Sequence, residues 1–247
     1  MSENKDLTLN TEEKSSSRRV PFAVVEAYKT IRTNLSFLQT AVDTKIVAFS
    51  SPEQGDGKST TAVNVAIAFA QLGKKTLLID ADLRRGSVHK KLKIESKPGL
   101  SNVLANMITL DEAVNKTSLT LDVLTTGRIP PNPSEMLGST RFAQMLEEAK
   151  QKYDHIIIDT PPINIVSDAL IVGGATGGLV LVVREGVATS DAIEHAIGSA
   201  KFADIDILGV VLNGVNAKKR GYRYYNKYGY KYGYKYGYKS TYEVKSK

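Results

Sequence analysis

The sequence predicts an α/β domain in which a mostly parallel sheet carries helices on both faces. Short continuous apolar runs, such as Ile46–Ser50 and Ile207–Leu212, are typical of strands that are buried on both sides. These runs alternate along the chain with segments of helical periodicity. A repeated strand, helix, strand order is the order of parallel sheets, so both observations lead to the same fold class.

The first half of the domain begins with a helix. Ile31, Leu35 and Leu38 follow one another at steps of four and three residues, which predicts a helix over residues 22–40. Residues 59–72 are rich in alanine, a strong helix former. In order, this half is predicted to contain the helix 22–40, the strand Ile46–Ser50, the helix Ser59–Leu72, the strand Thr76–Ile79, and a looser region Arg84–Leu124 with short helices and the strand Leu121–Leu124.

The second half begins with prolines that lead into a helix. We expect this helix to run without interruption from Ser134 to about Lys152. The apolar run Leu170–Val183 is shorter than the roughly 18 residues of a membrane span and contains four glycines, so no membrane-spanning helix is expected. Three strands complete this half, namely His155–Ile158, Leu179–Val183 and Ile207–Leu212.

The two ends of the chain differ in composition from the domain between them. Residues 1–20 are polar and lack the apolar core of a signal peptide, so we expect a disordered segment there. The domain itself is predicted over residues 21–217, and residues 218–247 are predicted to be a flexible tail. The chain has no cysteine, which excludes disulfides and thiolate chemistry and fits a reducing cytosol. We expect a soluble protein whose membrane role, if it has one, is peripheral.

Residues 51–60, with the sequence SPEQGDGKST, have the pattern of a phosphate-binding loop between a strand and a helix. In such a loop, backbone N–H groups and the dipole of the following helix converge on phosphate oxygens. Lys58 is expected to reach the β- and γ-phosphates, and the Ser59 hydroxyl is expected to ligate Mg²⁺. Pro52 stands where the motif usually has its first glycine. The residues expected to bind the nucleotide are Gly55, Asp56, Gly57, Lys58, Ser59 and Thr60.

Two further segments place carboxylates at the carboxyl ends of predicted strands. Asp80 and Asp82 lie two residues apart, so they would point to the same side of an extended chain. Asp159 ends an apolar strand and has the form of a Walker B aspartate, which orders the metal and its waters. Open α/β sheets bind ligands at this edge. We therefore predict that the three carboxylates and the glycine loop form one site.

The tail is unusual because it contains ten of the twelve tyrosines of the chain. A Tyr-Gly-Tyr-Lys repeat occurs three times between Tyr228 and Lys239, and ten basic residues against the single acid Glu243 give the tail a net charge of +9. Such a tail could bind single-stranded nucleic acid, an anionic membrane surface or an acidic partner, or its hydroxyls could themselves be a substrate. The ten tyrosines are Tyr222, Tyr224, Tyr225, Tyr228, Tyr230, Tyr232, Tyr234, Tyr236, Tyr238 and Tyr242.

The remaining charged and titratable residues suggest no separate site. The three histidines of the chain show no metal-ligand spacing and are expected to be structural or surface residues. Glu26, Lys29 and Arg32 share one face of the first helix at three-residue steps, and an exposed, salt-bridged face explains them.

Together, the glycine loop and the three carboxylates resemble the bacterial tyrosine kinases, which are P-loop NTPases related to the ParA/MinD proteins. Asp80–Asp82 is similar to the Walker A′ motif of that family, and Gly127–Leu137 and the tyrosine-rich C-terminus also match. The resemblance covers residues 21–242. It is greatest to the two-chain form found with capsule or exopolysaccharide loci of Gram-positive bacteria, in which the membrane-spanning activator is a separate protein.

The resemblance implies a protein-tyrosine kinase that uses ATP and Mg²⁺, phosphorylates its own tail in trans, and regulates capsular or extracellular polysaccharide biosynthesis and export. In this scheme Lys58 contacts phosphates, Ser59, Asp82 and Asp159 serve the metal, and Asp80 accepts the tyrosine proton. The implied partners are a transmembrane adaptor that recruits the cytoplasmic chain to the inner face of the membrane, a cognate tyrosine phosphatase and further copies of the chain in a ring. No nucleic-acid partner is expected.

Two positions depart from the patterns of related proteins. The family motif Glu-x-x-Arg-x-x-Arg, which is linked to ring assembly, reads Glu26, Lys29 and Arg32 here, and lysine keeps the charge but loses the bidentate fork of arginine. ParA/MinD proteins carry a signature lysine where this chain has Glu53. The glutamate counts against the alternative function, a ParA/MinD-like ATPase switch that binds a membrane or nucleic acid through the basic tail.

Overall fold

The computed structural model describes residues 20–117 and 120–215. The tail with its ten tyrosines lies outside these residues, as does nearly all of the segment 1–20. The expected domain boundaries therefore stay a prediction.

Strands and helices follow one another through the described residues, and those that were predicted occur in the predicted order. In chain order they are α1 (Phe22–Ala41), β1 (Ile46–Ser50), α2 (Lys58–Ala70), β2 (Thr76–Asp80), α3 (Val88–Leu92), α4 (Leu100–Leu104), α5 (Leu110–Ala113), β3 (Asn115–Lys116), β4 (Leu121–Leu124), α6 (Pro133–Leu137), α7 (Thr140–Lys152), β5 (His155–Asp159), α8 (Asp168–Thr176), β6 (Leu179–Arg184), α9 (Ser190–Phe202) and β7 (Ile207–Asn213). The predictions for β1 and β4 are confirmed to the residue. The strands β2, β5, β6 and β7 each extend one residue beyond the predicted end.

Three local features differ from the expectation. The single helix predicted from Ser134 to about Lys152 is wrong, because Gly138 and Ser139 separate α6 from α7. The Ser139 hydroxyl accepts a hydrogen bond from the N–H of Phe142 and so begins a new helix. The helices α8 and α9 were not predicted, and Gly177, with a φ of 82°, ends α8 before the predicted strand β6 begins. The short β3 is antiparallel to β4 and was not predicted.

The strands form one seven-stranded sheet in the order β3-β4-β2-β5-β1-β6-β7. Every neighbouring pair except β3 and β4 is parallel. β1 lies near the middle, between β5 and β6, so the loop that follows it opens at the carboxyl edge. In the ladder between β2 and β5, Asp80 stands opposite Asp159, which brings two of the predicted carboxylates side by side.

Apolar cores cover both faces of the sheet. On one face α1 and α2 pack with Val47, Phe49 and Leu78, and on the other α7, α8 and α9 pack over Ile46, Ala48 and Ile158. Helix α2 is buried at 11 of its 13 residues, because it lies between the sheet and α1. This double cover explains its small side chains and fixes the direction in which its N-terminus points.

Candidate active site

The glycine loop between β1 and α2 has the backbone of a phosphate-binding loop. Gly55 and Gly57 have φ values of 97° and 95°, in the left-handed region that favours glycine. A Cβ on Gly57 would collide with the side-chain amide of Asn213, so the position also requires glycine for space. Because Gly57 is the N-cap of α2, the free N–H groups of the first helical turn face the loop, where they can bind phosphate oxygens.

Side chains from distant segments hold this loop in place. The Asp56 carboxylate accepts a hydrogen bond from the Glu53 N–H at 3.1 Å, and Asn213 donates to the Asp56 carbonyl at 2.8 Å. Arg184, at the end of β6, donates to the carbonyl of Gly55 at 3.2 Å. The loop is therefore fixed from the neighbouring strands before any ligand binds, which favours phosphate binding by preorganisation.

Lys58 lies at the centre of the predicted site. Its Nζ is 3.4 Å from Asp82 Oδ2, 3.4 Å from Asp159 Oδ1 and 3.1 Å from Ser59 Oγ. Burial alone would lower the pKa of Lys58, but the attraction of Asp159 and then Asp82 outweighs it, and the pKa is raised. The ammonium group is therefore charged at neutral pH, as a phosphate ligand must be.

Asp80 and Asp159 form a buried carboxylate pair behind Lys58, and neither residue is accessible to solvent. Burial and then repulsion from Asp159 raise the pKa of Asp80 to about 8. Its two carboxyl oxygens accept hydrogen bonds from the N–H of Asp82 at 3.3 Å and from the N–H of Val88 at 3.0 Å. Burial also raises the pKa of Asp159, against the opposing attraction of Lys58.

The arrangement around Asp159 fits a divalent cation. Asp159 Oδ2 is buried and has no hydrogen-bond partner among the residues that the structure describes. The Ser59 hydroxyl contacts the same carboxylate, and Asp82 lies near it. No group of three His, Cys, Asp or Glu side chains in residues 20–117 and 120–215 could hold a metal alone. Mg²⁺ sites need no such group, because they combine one or two carboxylates with phosphate oxygens and water.

An open cleft of about 680 Å³ lies over the loop and is large enough for a nucleotide. Asp56, Asp80 and Asp159 are fully buried, whereas Asp82 lies at the surface of the cleft. The predicted site residues that line the cleft are Gly55, Gly57, Lys58, Ser59, Thr60 and Asp82. Its other polar and charged lining residues include Arg84, Arg85, Lys91, Arg184 and Asn213, none of which was predicted to belong to the site.

The predicted oligomerisation residues on α1 do not all have the same environment. Lys29 pairs with Glu26 at 2.8 Å, and both side chains are about half exposed. Arg32 instead donates to the carbonyl of Ala68 at 3.1 Å, near the C-terminus of α2. Tyr28, which lies between Glu26 and Lys29 in the sequence, is buried against α2 and reaches the cleft. Helix α1 is thus tied to the helix that begins at the phosphate-binding loop.

Comparison with known proteins identifies the family. The family model described as an AAA domain matches residues 44–182. Tyrosine-protein kinase YwqD of Bacillus subtilis is 42% identical over 206 residues, which are 83% of this chain and 85% of that protein. The chain belongs to the bacterial tyrosine kinases.

Solved structures of this family have the same fold. The kinase domain of Escherichia coli tyrosine kinase ETK matches with a TM-score of 0.76 and 34% identity, covering 91% of this chain and 88% of that one. The chimerical protein CapA2B2 matches with a TM-score of 0.71 and 37% identity, covering 76% of this chain and 83% of that one. Within residues 20–117 and 120–215, none of the helices is both long and apolar enough to cross a bilayer.

Proposed function

We propose that the chain is an ATP-dependent protein-tyrosine kinase that phosphorylates its own C-terminal tyrosine cluster. The observation that carries this proposal is Lys58 at the start of α2, held between Asp82 and Asp159 and facing an open cleft. A lysine in that position can neutralise the γ-phosphoryl group as it leaves the β-phosphate. The match to YwqD over most of both chains supports a tyrosine as the acceptor.

The residues divide the chemistry between them. The N–H groups of Gly55, Gly57 and the first turn of α2 would hold the phosphates, with Lys58 as the counter-charge. Ser59, Asp82 and Asp159 would hold Mg²⁺, which supplies charge neutralisation of the phosphates and orients them for in-line attack. The tyrosine oxygen bonds to the γ-phosphorus, the bond to the β,γ-bridging oxygen breaks, and ADP leaves.

Asp80 is the proposed acceptor of the tyrosine proton. With its pKa raised to about 8, the ionised form that accepts the proton is the minor form at neutral pH, but it is a stronger base than an ordinary aspartate and lies closer in proton affinity to tyrosine. It is buried behind Asp82, which lines the cleft, so the proton would reach it by way of Asp82 or a water molecule.

The deciding experiment incubates the purified full-length chain with Mg-ATP and probes it for phosphotyrosine, with the cytoplasmic peptide of an adaptor added if the chain alone is inactive. We expect labelling that Lys58→Met abolishes. Lys45→Met is the matched control, because Lys45 is exposed, does not line the cleft, and donates from its ammonium group to the carbonyl of Lys150. ATP hydrolysis without tyrosine labelling would instead favour a ParA/MinD-like switch.

Phosphorylation is proposed to occur in trans, with the tail of one subunit entering the cleft of another. Closely spaced tyrosines in residues 218–247 present many equivalent acceptors. A full-length Lys58→Met chain mixed with an active chain that lacks the tail tests this step. If the Lys58→Met chain gains no phosphotyrosine, phosphorylation in trans is wrong.

The same reaction is proposed to control assembly. Each phosphate adds about −1.5 to −2 charges, so ten would change the tail from +9 to about −6 to −11. Subunits held tail-into-cleft in a ring, with Glu26 and Lys29 exposed for contact, would then repel one another. Light scattering before and after ATP treatment should show a fall in mass, and an unchanged mass would contradict the proposal.

The cellular setting is proposed from the family. The chain would act in the cytoplasm, recruited to the inner face of the membrane by a transmembrane adaptor, and a cognate phosphatase would reverse its action. Its output would be control of capsular or extracellular polysaccharide biosynthesis and export. Deleting the adaptor should release a fluorescent fusion of the chain from the cell periphery.

A further inference from the structure

A buried carboxylate outside the predicted site holds one of the arginines of the cleft. Asp168, the first residue of α8, is inaccessible to solvent. Its Oδ2 accepts from Arg84 Nε at 2.8 Å, and its Oδ1 accepts from Arg84 Nη2 at 3.0 Å and from the Ser134 hydroxyl at 2.6 Å. Arg84 Nη2 also donates to Ser134 at 2.9 Å. The guanidinium is therefore fixed in a fork by two residues from different helices.

The fixed arginine also belongs to the wall of the cleft. Arg84 is two residues beyond Asp82, both line the cleft, and the Arg84 side chain is 39% exposed. The attraction of Asp168, and to a smaller extent that of Asp82, raises the pKa of Arg84. Its Nη1 makes no hydrogen bond to any residue in the described part of the chain. One end of the guanidinium is thus held rigidly while the other keeps free donors.

Stability alone does not explain this arrangement. A buried ion pair is weak evidence for stability, because apolar residues of similar volume often stabilise a fold equally well. The fork instead fixes the direction of a cation, and binding sites gain from groups that a supporting residue already orients. The pairing also links α8 and the segment that contains Ser134 to the acidic loop after β2.

The charges of the cleft wall and of the tail indicate which ligand Arg84 would bind. Arg84, Arg85, Lys91 and Arg184 give the cleft wall several cations, whereas the proposed tyrosine acceptor is a tail of net charge +9. Such a wall favours a nucleotide polyphosphate as the ligand of Arg84, and the bound polyphosphate would offset these cations before the basic tail enters the cleft. We propose that Arg84 binds the phosphates of the nucleotide as a second cation beside Lys58, and that Asp168 and Ser134 are its positioning residues. This inference rests on the proposed function, because it assumes that the cleft binds ATP.

The test measures the affinity of full-length protein for a fluorescent, non-hydrolysable ATP analogue, with unlabelled adenosine as a competitor that lacks phosphates. We expect Arg84→Met to lower the affinity for the analogue about tenfold, which is the effect of losing one charge-assisted hydrogen bond. Competition by adenosine should be unchanged. Arg84→Lys should recover only part of the loss, because lysine cannot form the fork. Arg141→Met is the matched control, since Arg141 pairs with Glu148 and does not line the cleft.

A double-mutant cycle tests the positioning role. If Asp168 acts through Arg84, then Asp168→Asn lowers the affinity for the analogue in the wild-type background. In a chain that already carries Arg84→Met, the same change has no further effect on that affinity. Arg84→Met leaves the buried carboxylate of Asp168 without its arginine, and the double variant removes that charge. If Arg84→Met alone does not fold, the affinity of the double variant is measured in its place.

Three results would overturn the inference: unchanged analogue affinity in Arg84→Met, an equal loss of adenosine competition, or additive effects in the cycle. A wild-type chain that fails to bind the analogue would remove the proposed function as well. Normal wild-type binding with an unaffected Arg84→Met variant would remove this inference alone.

Discussion

The raised pKa of Asp80 predicts an unusual dependence of stability on pH. In the unfolded chain the carboxyl has a pKa near the ordinary aspartate value of 3.8, whereas in the folded protein its pKa is about 8. Between these values the folded state binds one more proton than the unfolded state. The free energy of unfolding should therefore fall by about 1.4 kcal/mol per pH unit through this one group as the pH rises from about 4 to about 8.

Asp80→Asn removes this titration and leaves a side chain of nearly the same shape. The amide has one acceptor oxygen instead of two, so a backbone N–H of Asp82 or Val88 loses its partner. This loss should lower the free energy of unfolding by about 1 kcal/mol at every pH. Only the titration changes with pH. Relative to wild type, the variant should therefore gain about 3 kcal/mol of stability between pH 5.5 and pH 8. It should also produce no phosphotyrosine.

Urea unfolding followed by circular dichroism measures this difference, since the chain has no tryptophan to report by fluorescence. Asp111→Asn is the control, because the Asp111 side chain is 66% exposed, and this variant should follow the wild-type curve. If the stabilities of Asp80→Asn and wild type differ by the same amount at both pH values, the buried, protonated state assigned to Asp80 is wrong.

Further changes test the loop, α1 and the core. Gly57→Ala should abolish binding of the ATP analogue, because the backbone is left-handed and a Cβ has no room; an affinity close to wild type would contradict the loop geometry. Arg32→Ala should lower the free energy of unfolding by about 1 kcal/mol in urea melts, since a carbonyl near the end of α2 loses its partner; unchanged stability would show that this contact contributes nothing. Tyr153→Phe removes a 2.6 Å hydrogen bond to Asp122, away from the cleft, and should lower stability by a similar amount while phosphotyrosine formation stays normal. Chelation of Mg²⁺ should weaken ADP binding at least tenfold in a calorimetric titration, and equal affinity with and without metal would contradict the assigned metal site.

How much the sequence could predict depended on the range of each interaction. The strands and the glycine loop could be predicted because an apolar run, or glycines followed by Lys58, carry their signal within about ten residues. The break between α6 and α7 was missed, because Gly138 is compatible with a helix end and with a helix interior. Asn213 and Arg184 could not be assigned to the loop, because 157 and 129 residues separate them from their partners there. Only the folded sheet, with β6 and β7 beside β1, brings them together.

The charged side chains at the floor of the cleft, around Lys58, couple metal binding to nucleotide binding. Asp82 and Asp159 both lie 3.4 Å from the ammonium group of Lys58, so carboxylates outnumber the ammonium group among the described residues at the floor of the cleft, which favours negative charge there. A polyphosphate entering the cleft would meet that charge unless a cation came with it. The buried Oδ2 of Asp159, which has no hydrogen-bond partner among the described residues, lies where such a cation would be bound. Lys58 would then exchange its carboxylate partners for phosphate oxygens, since the metal would take over the neutralisation of Asp82 and Asp159. Metal and nucleotide are therefore expected to bind as one charge-balanced unit, and this coupling follows from the burial of Asp80 and Asp159 together.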